Sequence, residues 1–383
     1  MSDTGSATSV ASVYVHAPFC ARRCVYCDFA VTVRRTGDVG AWAEALAAER
    51  LRVEEEGLFR LRDRLETLYV GGGTPSLLGP AAMDRLAAVI GPERLTGPDL
   101  EWTAEANPES FTEEVAAAWA RAGVNRVSLG AQTFDETALR WMGRLHGPDG
   151  PRHAVDAAGA AGIDNVSVDL IFGLPESSGR SWDHDLERVV ELDVPHVSLY
   201  GLTVEPGTAL GRAVREGKEA PVDEERYRAE YLRASEVLTA AGYAHYEVSS
   251  FARPGAEARH NAVYWSGASY LGLGNGAHSY APPIRRWNVG DWDEYRDALL
   301  AGRSPEQERE TVDTDAHALE HLWLSLRTRD GIPRPAVGSK QERVTRRWVD
   351  ERIAVYENDR LRLTPDGWLV LDSLVLELDE PGA

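Results

Sequence analysis

Hydrophobic and polar residues alternate in a series of short runs: "SVYVHAP", "LETLYVGGG", "EWTAEANP", "RVSLGAQ", "NVSVDLIFG" and "HVSLYGL". A period of two places every second side chain on one face of a strand. "AHYEVSSFA" reads as a further strand of the same kind. The segments between them, among them "AWAEALAAERLRVEEEG", "TEEVAAAWARAG" and "SWDHDLERVVEL", carry apolar residues at helical spacing. This succession predicts βα units around a parallel sheet. Polar and glycine residues gather where each strand hands over to its loop: Gly71 to Thr74, Glu105, Gln132, Asp169 and Tyr200. In a (β/α) barrel that rim is the active face. About six to seven strands fall short of a closed barrel of eight, so the expected fold is α/β, a partial (β/α) barrel.

The pattern changes near Asp313, where "DTDAHALEHLWLSLRT" and "VTRRWVDERIAVY" read as helices and "DRLRLTPDGWLVLDSLVLEL" as a strand and terminal helix. Thr364 is placed to cap that last helix, with Pro365 in its first turn. The order resembles a small winged-helix-like domain, with a boundary expected between a barrel of residues 13–305 and a module of residues 306–383. From Thr311 to Ala383 there are 14 acidic against 10 basic side chains, so a packing role is expected rather than DNA binding.

Charge and composition narrow the partners. Lys and Arg number 41 and Asp and Glu 61, a net charge of -20, which repels nucleic acid and anionic membranes. The opening "MSDTGSATSVAS", residues 1–12, is small and polar and is expected to be a disordered tail rather than a secretory signal. No apolar run approaches the roughly 20 residues of a spanning helix, so a soluble protein is expected, and three clustered cysteines fit a reducing compartment, the cytoplasm. Apolar composition leaves monomer and dimer open.

All three cysteines lie in "YVHAPFCARRCVYCDFAV": Cys20, Cys24 and Cys27, directly after a strand. Three thiolates at this spacing suit one corner each of an iron–sulfur cube, leaving one iron open to a small molecule. A structural zinc completed by His16 is the rival reading, and three idle thiols the third. Around the rim, the glycines of "YVGGGTP" would let backbone N–H groups approach an anion, although a tight βα turn also wants glycine. Glu105 would suit a ribose diol, or be a solvated loop acid. Gln132, Arg144 and Asp169 have the same double reading.

Together these runs, with "SLGAQTF", "GRLH", "SVDLIFGLP", "SLYGLTVEPGT" and "HNAVYW", resemble the radical S-adenosylmethionine superfamily. Within it the chain is similar to the group of oxygen-independent coproporphyrinogen III oxidases (dehydrogenases) and their HemW-type heme-chaperone relatives. The resemblance runs from about Val13 to Leu376. It implies a [4Fe-4S] cluster on Cys20, Cys24 and Cys27, with S-adenosylmethionine on the fourth iron. It further implies that Tyr14 and Tyr26 flank that cofactor, Gly72, Gly73 and Thr74 take its amino-acid end and Glu105 its ribose. Gln132, Arg144 and Asp169 fall on the remaining binding positions. An electron donor such as flavodoxin or ferredoxin is implied with them, and a 5′-deoxyadenosyl radical is the product of reductive cleavage.

Two departures separate the branches of the group. The porphyrinogen dehydrogenases carry another cysteine two places beyond the third, where this chain has Phe29, and a longer N-terminal segment than the dozen residues before Tyr14. "HNAVYW" offers an imidazole, an amide and two aromatics, groups that suit heme. A histidine among aromatics is also ordinary packing. The HNxxYW pattern marks the chaperone branch and implies heme binding by His260, with Asn261, Tyr264 and Trp265 as orienting and stacking groups. The expected function is therefore heme binding and transfer to an acceptor protein, with no catalytic residue assigned. The alternative is oxidative decarboxylation of coproporphyrinogen III, and a structural zinc protein is the third reading.

Overall fold

The structure is a computed structural model that describes residues 7–334 and 341–379. Seven parallel strands form its centre: β1 Ser12–Ala17, β2 Thr67–Gly72, β3 Glu101–Ala106, β4 Arg126–Gln132, β5 Asn165–Phe172, β6 His196–Gly201 and β7 Leu271–Leu273. They lie in the order β7-β1-β2-β3-β4-β5-β6, and the antiparallel strands Ser250–Ala252 and Ala244–Glu247 complete a nine-stranded sheet. The partial barrel expected from the pattern is present. Its composition differs in one respect: "AHYEVSSFA" is the antiparallel edge, and the seventh parallel strand is "LGL". Three residues with a central glycine carry too little periodicity to be read as a strand, but Leu271 and Leu273 are fully buried.

Each strand has two unlike faces. Val13 and Val15, Leu68 and Val70, Trp102 and Ala104, Val127 and Leu129, Val166 and Val168, and Val197 and Leu199 enter the main hydrophobic core. The alternate positions are polar: Tyr14 and His16, Tyr69, Glu105, Ser128, Ser167 and Asp169, Ser198 and Tyr200. Parallel strands covered on both faces normally read as continuous apolar runs. Here the inner face is polar because it encloses a site instead of a second core.

The stretch 1–12, expected to be a disordered tail, holds a strand. Thr8–Val10 pairs in parallel with Phe59–Leu61, and Val10 and Phe59 are buried together in the core. Residues 1–6 lie outside the described residues. The domain boundary also moves, because Glu306–Thr311 pairs antiparallel with Ile284–Asn288 and so belongs with the first part of the chain.

Beyond it, the helices Thr314–Leu326 and Glu342–Asp350, a sheet of Ile332–Pro333, Arg360–Leu363 and Ala354–Glu357, and the helix Leu371–Asp379 enclose a separate core around Trp348 and Trp368. Thr364 caps the following turn, accepting from the Gly367 N–H at 3.3 Å. This winged-helix-like module packs on the sheet edge. Its Trp368 meets His245 edge-on at 4.5 Å, and Arg327 pairs with Glu247 at 3.4 Å.

Candidate functional site

The cysteine loop leaves the end of β1 and is pinned at several points. His16 donates through Nε2 to the Ala30 carbonyl at 3.0 Å, and Asn275 donates to the same oxygen at 3.1 Å. Arg23 donates to the Val31 carbonyl at 2.6 Å, and the Val25 N–H to Met142 at 3.2 Å. Cys20 Sγ lies 3.4 Å from Thr74 Oγ1. Burial pushes the Cys20 thiol up to about 11 and raises that of Cys27, so a metal must displace bound protons there.

Among the described residues no three His, Cys, Asp or Glu side chains converge on a point suited to one metal ion. His16 cannot complete a zinc site as placed, since its Nδ1 is engaged by the Tyr14 hydroxyl at 3.1 Å and its Nε2 by Ala30. Three thiols that line one cavity without closing on one point suit a multi-metal cluster.

That cavity, of about 410 Å³, brings together Cys20, Cys24, Cys27, Tyr26, Gly72, Gly73, Thr74, Glu105, Gln132, Arg144 and Asp169, all expected at the site. Glu105 accepts from the Tyr69 hydroxyl at 2.8 Å and from the Gly72 N–H at 3.0 Å. Burial, reinforced by the Asp169 charge, pushes its carboxyl up to about 7. Asp169 is raised by burial as well, and accepts from Ser128 Oγ at 3.0 Å and Ser167 Oγ at 3.4 Å. Arg144 donates to Asn107 Oδ1 at 2.7 Å and the Gly130 carbonyl at 2.5 Å, with its other terminal nitrogen 3.8 Å from Cys24 Sγ.

Gln132 sits where the β4–β5 register slips, with φ at 68°, a strained value for a residue with a side chain. Its Oε1 is buried without a hydrogen-bond partner. An orphaned acceptor on a strained backbone, beside a carboxyl held near neutrality, suits a ligand that brings its own donors. The residues present therefore fit a cluster with an amino-acid nucleoside beside it.

Three groups of expected residues sit differently from the others. The N–H groups of the glycine-rich turn are engaged within the protein: Gly72 donates to the Glu105 carboxyl, Gly73 to the Ala17 carbonyl and Thr74 to the Phe19 carbonyl. Its glycines are required by close packing, since a Cβ on Gly72, at φ 103°, would lie 2.2 Å from the His16 ring. Tyr14 does not line the cavity; its ring lies beneath, near-parallel to that of Tyr69 at 6.1 Å.

The residues expected to hold heme lie elsewhere. His260, Asn261, Tyr264 and Trp265 form the short helix Arg259–Trp265, and none lines the cavity. His260 bonds Thr67, the first residue of β2, whereas the cavity meets that strand at Gly72, about 16 Å away at 3.3 Å per residue. The imidazole is 1% exposed; Nδ1 is 2.7 Å from Thr67 Oγ1 and Nε2 is 2.9 Å from the Tyr264 hydroxyl. As placed, neither nitrogen is free for iron. Asn107 and Ser128 line the cavity without having been expected there, and Tyr200, expected on the rim, lines it as well. Ser128 and Tyr200 occupy the inward positions of the strand alternation, which is the signal that finds them.

Comparison with known proteins agrees with this geometry. The Radical SAM superfamily matches residues 14–189. The heme chaperone HemW of Mycobacterium tuberculosis is 38% identical over 369 residues, covering 96% of this chain and 94% of that protein. HemW of Escherichia coli is 33% identical over 376 residues, 95% and 97% of the two chains. The structure of coproporphyrinogen III oxidase HemN from Escherichia coli, described as a radical SAM enzyme, superimposes with a TM-score of 0.80 at 20% identity, covering 98% of this chain and 90% of that one. At that identity the likeness shows the fold alone.

Proposed function

The chain belongs to the radical SAM superfamily and, within it, to the family of the heme chaperone HemW, and from that premise we propose that it binds heme and passes it to an acceptor protein. The observation that carries the reading is similarity to HemW along 96% of the chain, through both the barrel and the C-terminal module. Phe29, 60% exposed at the mouth of the cavity, supports it: an apolar side chain stands where the related dehydrogenases would have a thiol.

Cys20, Cys24 and Cys27 would hold a [4Fe-4S] cluster, and S-adenosylmethionine would occupy the cavity beside it. When bound, the cluster supplies an electron and an open coordination position, and S-adenosylmethionine a reactive sulfonium. The chain's own side chains orient and enclose. Glu105 offers a buried carboxyl to ribose hydroxyls, Gln132 Oε1 and Asp169 offer further acceptors, and Arg144 places a fixed cation near the thiolate of Cys24. The reading also asks for an electron donor and a heme acceptor as protein partners.

The test is anaerobic reconstitution of the cluster, titration with heme in the Soret region, and transfer from the loaded protein to apomyoglobin. One heme per chain, released to apomyoglobin, is the expected result. Loose heme binding, together with turnover of coproporphyrinogen III to protoporphyrinogen by the reduced protein, would replace it with the dehydrogenase reading.

A further inference from the structure

We propose that His260 is a positioning residue for Glu105: acting through Tyr69, it fixes the carboxylate that faces the cavity, so the helix Arg259–Trp265 is the floor of the S-adenosylmethionine site. The inference rests on the reading of that cavity as the cofactor site.

The contacts run without a break from helix to cavity. The His260 ring lies near-parallel to that of Tyr69, 5.1 Å away and tilted 26°. Tyr69 is flanked in the same way by Tyr14, at 6.1 Å and 21°. A phenol with two near-parallel rings packed at 5.1 and 6.1 Å has little freedom to swing. Its hydroxyl is thereby kept 2.8 Å from Glu105 Oε1. The other carboxylate oxygen is held by the Gly72 N–H at 3.0 Å. There is no slack above: a Cβ on Gly71 would stand 2.7 Å from Glu105 Oε1 and 2.8 Å from the Tyr69 ring.

The floor is itself anchored. Glu101, at the opposite end of the strand that carries Glu105, accepts from the N–H groups of Arg259 at 3.0 Å and His260 at 2.9 Å. Tyr264 and Thr67 then occupy the two imidazole nitrogens, which fixes the ring about both of its polar atoms. Burial, with the nearby Arg126 charge, pushes His260 down to about 3. It is neutral, with one donor and one acceptor to share between two hydroxyls. A carboxylate that must meet two ribose hydroxyls at once needs its orientation set in advance, and supporting contacts of this kind supply it.

The test compares wild type, His260→Ala, Tyr69→Phe and Glu105→Gln after cluster reconstitution. S-adenosylmethionine affinity is measured by equilibrium dialysis, and the change that the compound makes in the EPR spectrum of the reduced cluster is recorded. His260→Ala is expected to weaken binding on the order of tenfold, as loss of an outer support does at other cofactor sites, with iron and sulfide content unchanged. Tyr69→Phe, which removes one hydroxyl and no heme ligand under any reading, should act in the same direction. Either change combined with Glu105→Gln should add little, because the path ends at one carboxylate.

A folded His260→Ala protein with wild-type affinity overturns the inference. Should that variant not fold, Tyr69→Phe decides, and wild-type affinity there overturns it equally. Failure of the wild-type protein to bind S-adenosylmethionine despite an intact cluster is a different result, one that removes the cofactor reading of the cavity and this inference with it.

Discussion

The two ends of the barrel are built from the same residue types and treat them in opposite ways. At the floor, the His260 nitrogens, Thr67 and the Glu101 carboxylate are all bonded within the protein. At the rim, Gln132 Oε1 is buried and unpaired, Glu105 is held near neutrality and three thiols stand without a disulfide partner. Buried polar groups are normally satisfied, so an incomplete set marks where a ligand completes the structure and a complete set marks support. By this measure His260 sits among the supports, whereas Trp265, in the same run "HNAVYW", keeps a buried Nε1 without a partner.

The largest expected effect breaks the rim outright. Replacing any one of Cys20, Cys24 or Cys27 by alanine should abolish the cluster after anaerobic reconstitution, read as loss of iron, sulfide and visible absorbance, while thermal unfolding of the metal-free protein stays near wild type. A variant that retains full iron and sulfide would show that the thiol is not a ligand.

Next is the joint between the two ends. Gly72→Ala places a methyl group 2.2 Å from the His16 ring at φ 103°, and the expected loss is about 3 kcal/mol or more of unfolding free energy in urea. A loss below about 1 kcal/mol would mean that the turn relaxes freely. At the floor, Thr67→Val removes the hydroxyl bonded to His260 and leaves a buried nitrogen unpaired, costing about 1–3 kcal/mol. An unchanged midpoint there would deny the floor its supporting role.

The most discriminating test is pH, because the two ends oppose each other in it. Glu105 is raised to about 7 from an ordinary 4.5. The folded state therefore holds the proton more tightly, and its contribution is present below the unfolded value and lost as pH rises from about 4.5 to about 7. His260 is lowered to about 3 from 6.5. There the unfolded state binds the proton first, and stability is lost as pH falls from about 6.5 towards 3. Urea titrations of the metal-free protein across that range should show Glu105→Gln gaining stability relative to wild type as pH rises. His260→Gln should instead gain as pH falls. Two variants with pH profiles parallel to wild type would show that neither group titrates differently on folding.

How much of this was legible depends on whether the signal was local. The alternation in "RVSLGAQ" or "NVSVDLIFG" marks a strand by itself, so those strands were read correctly from the chain, and the cysteine spacing is likewise complete within one loop. "LGL" was missed because three residues carry no period, and Thr8–Val10 because its pairing partner lies some fifty residues on, at Phe59–Leu61. The glycine turn was placed correctly, and of the two readings open for it the tight turn is the one its packing carries. The N–H groups of Gly72, Gly73 and Thr74 are consumed by Glu105, Ala17 and Phe19, which only the folded register brings near.

The sequence by itself determined the barrel, the thiol loop and the ring of polar residues at the strand ends, because periodicity and spacing are properties of neighbouring residues. Tertiary structure alone decided which polar groups remain open. Gln132 and His260 are equally polar on paper. One acquires a strained backbone and no partner, and the other meets Thr67, which is 193 residues distant in the chain. Whether a donor or acceptor is spent or available depends on what the fold places within about 3 Å of it, and no local pattern carries that information.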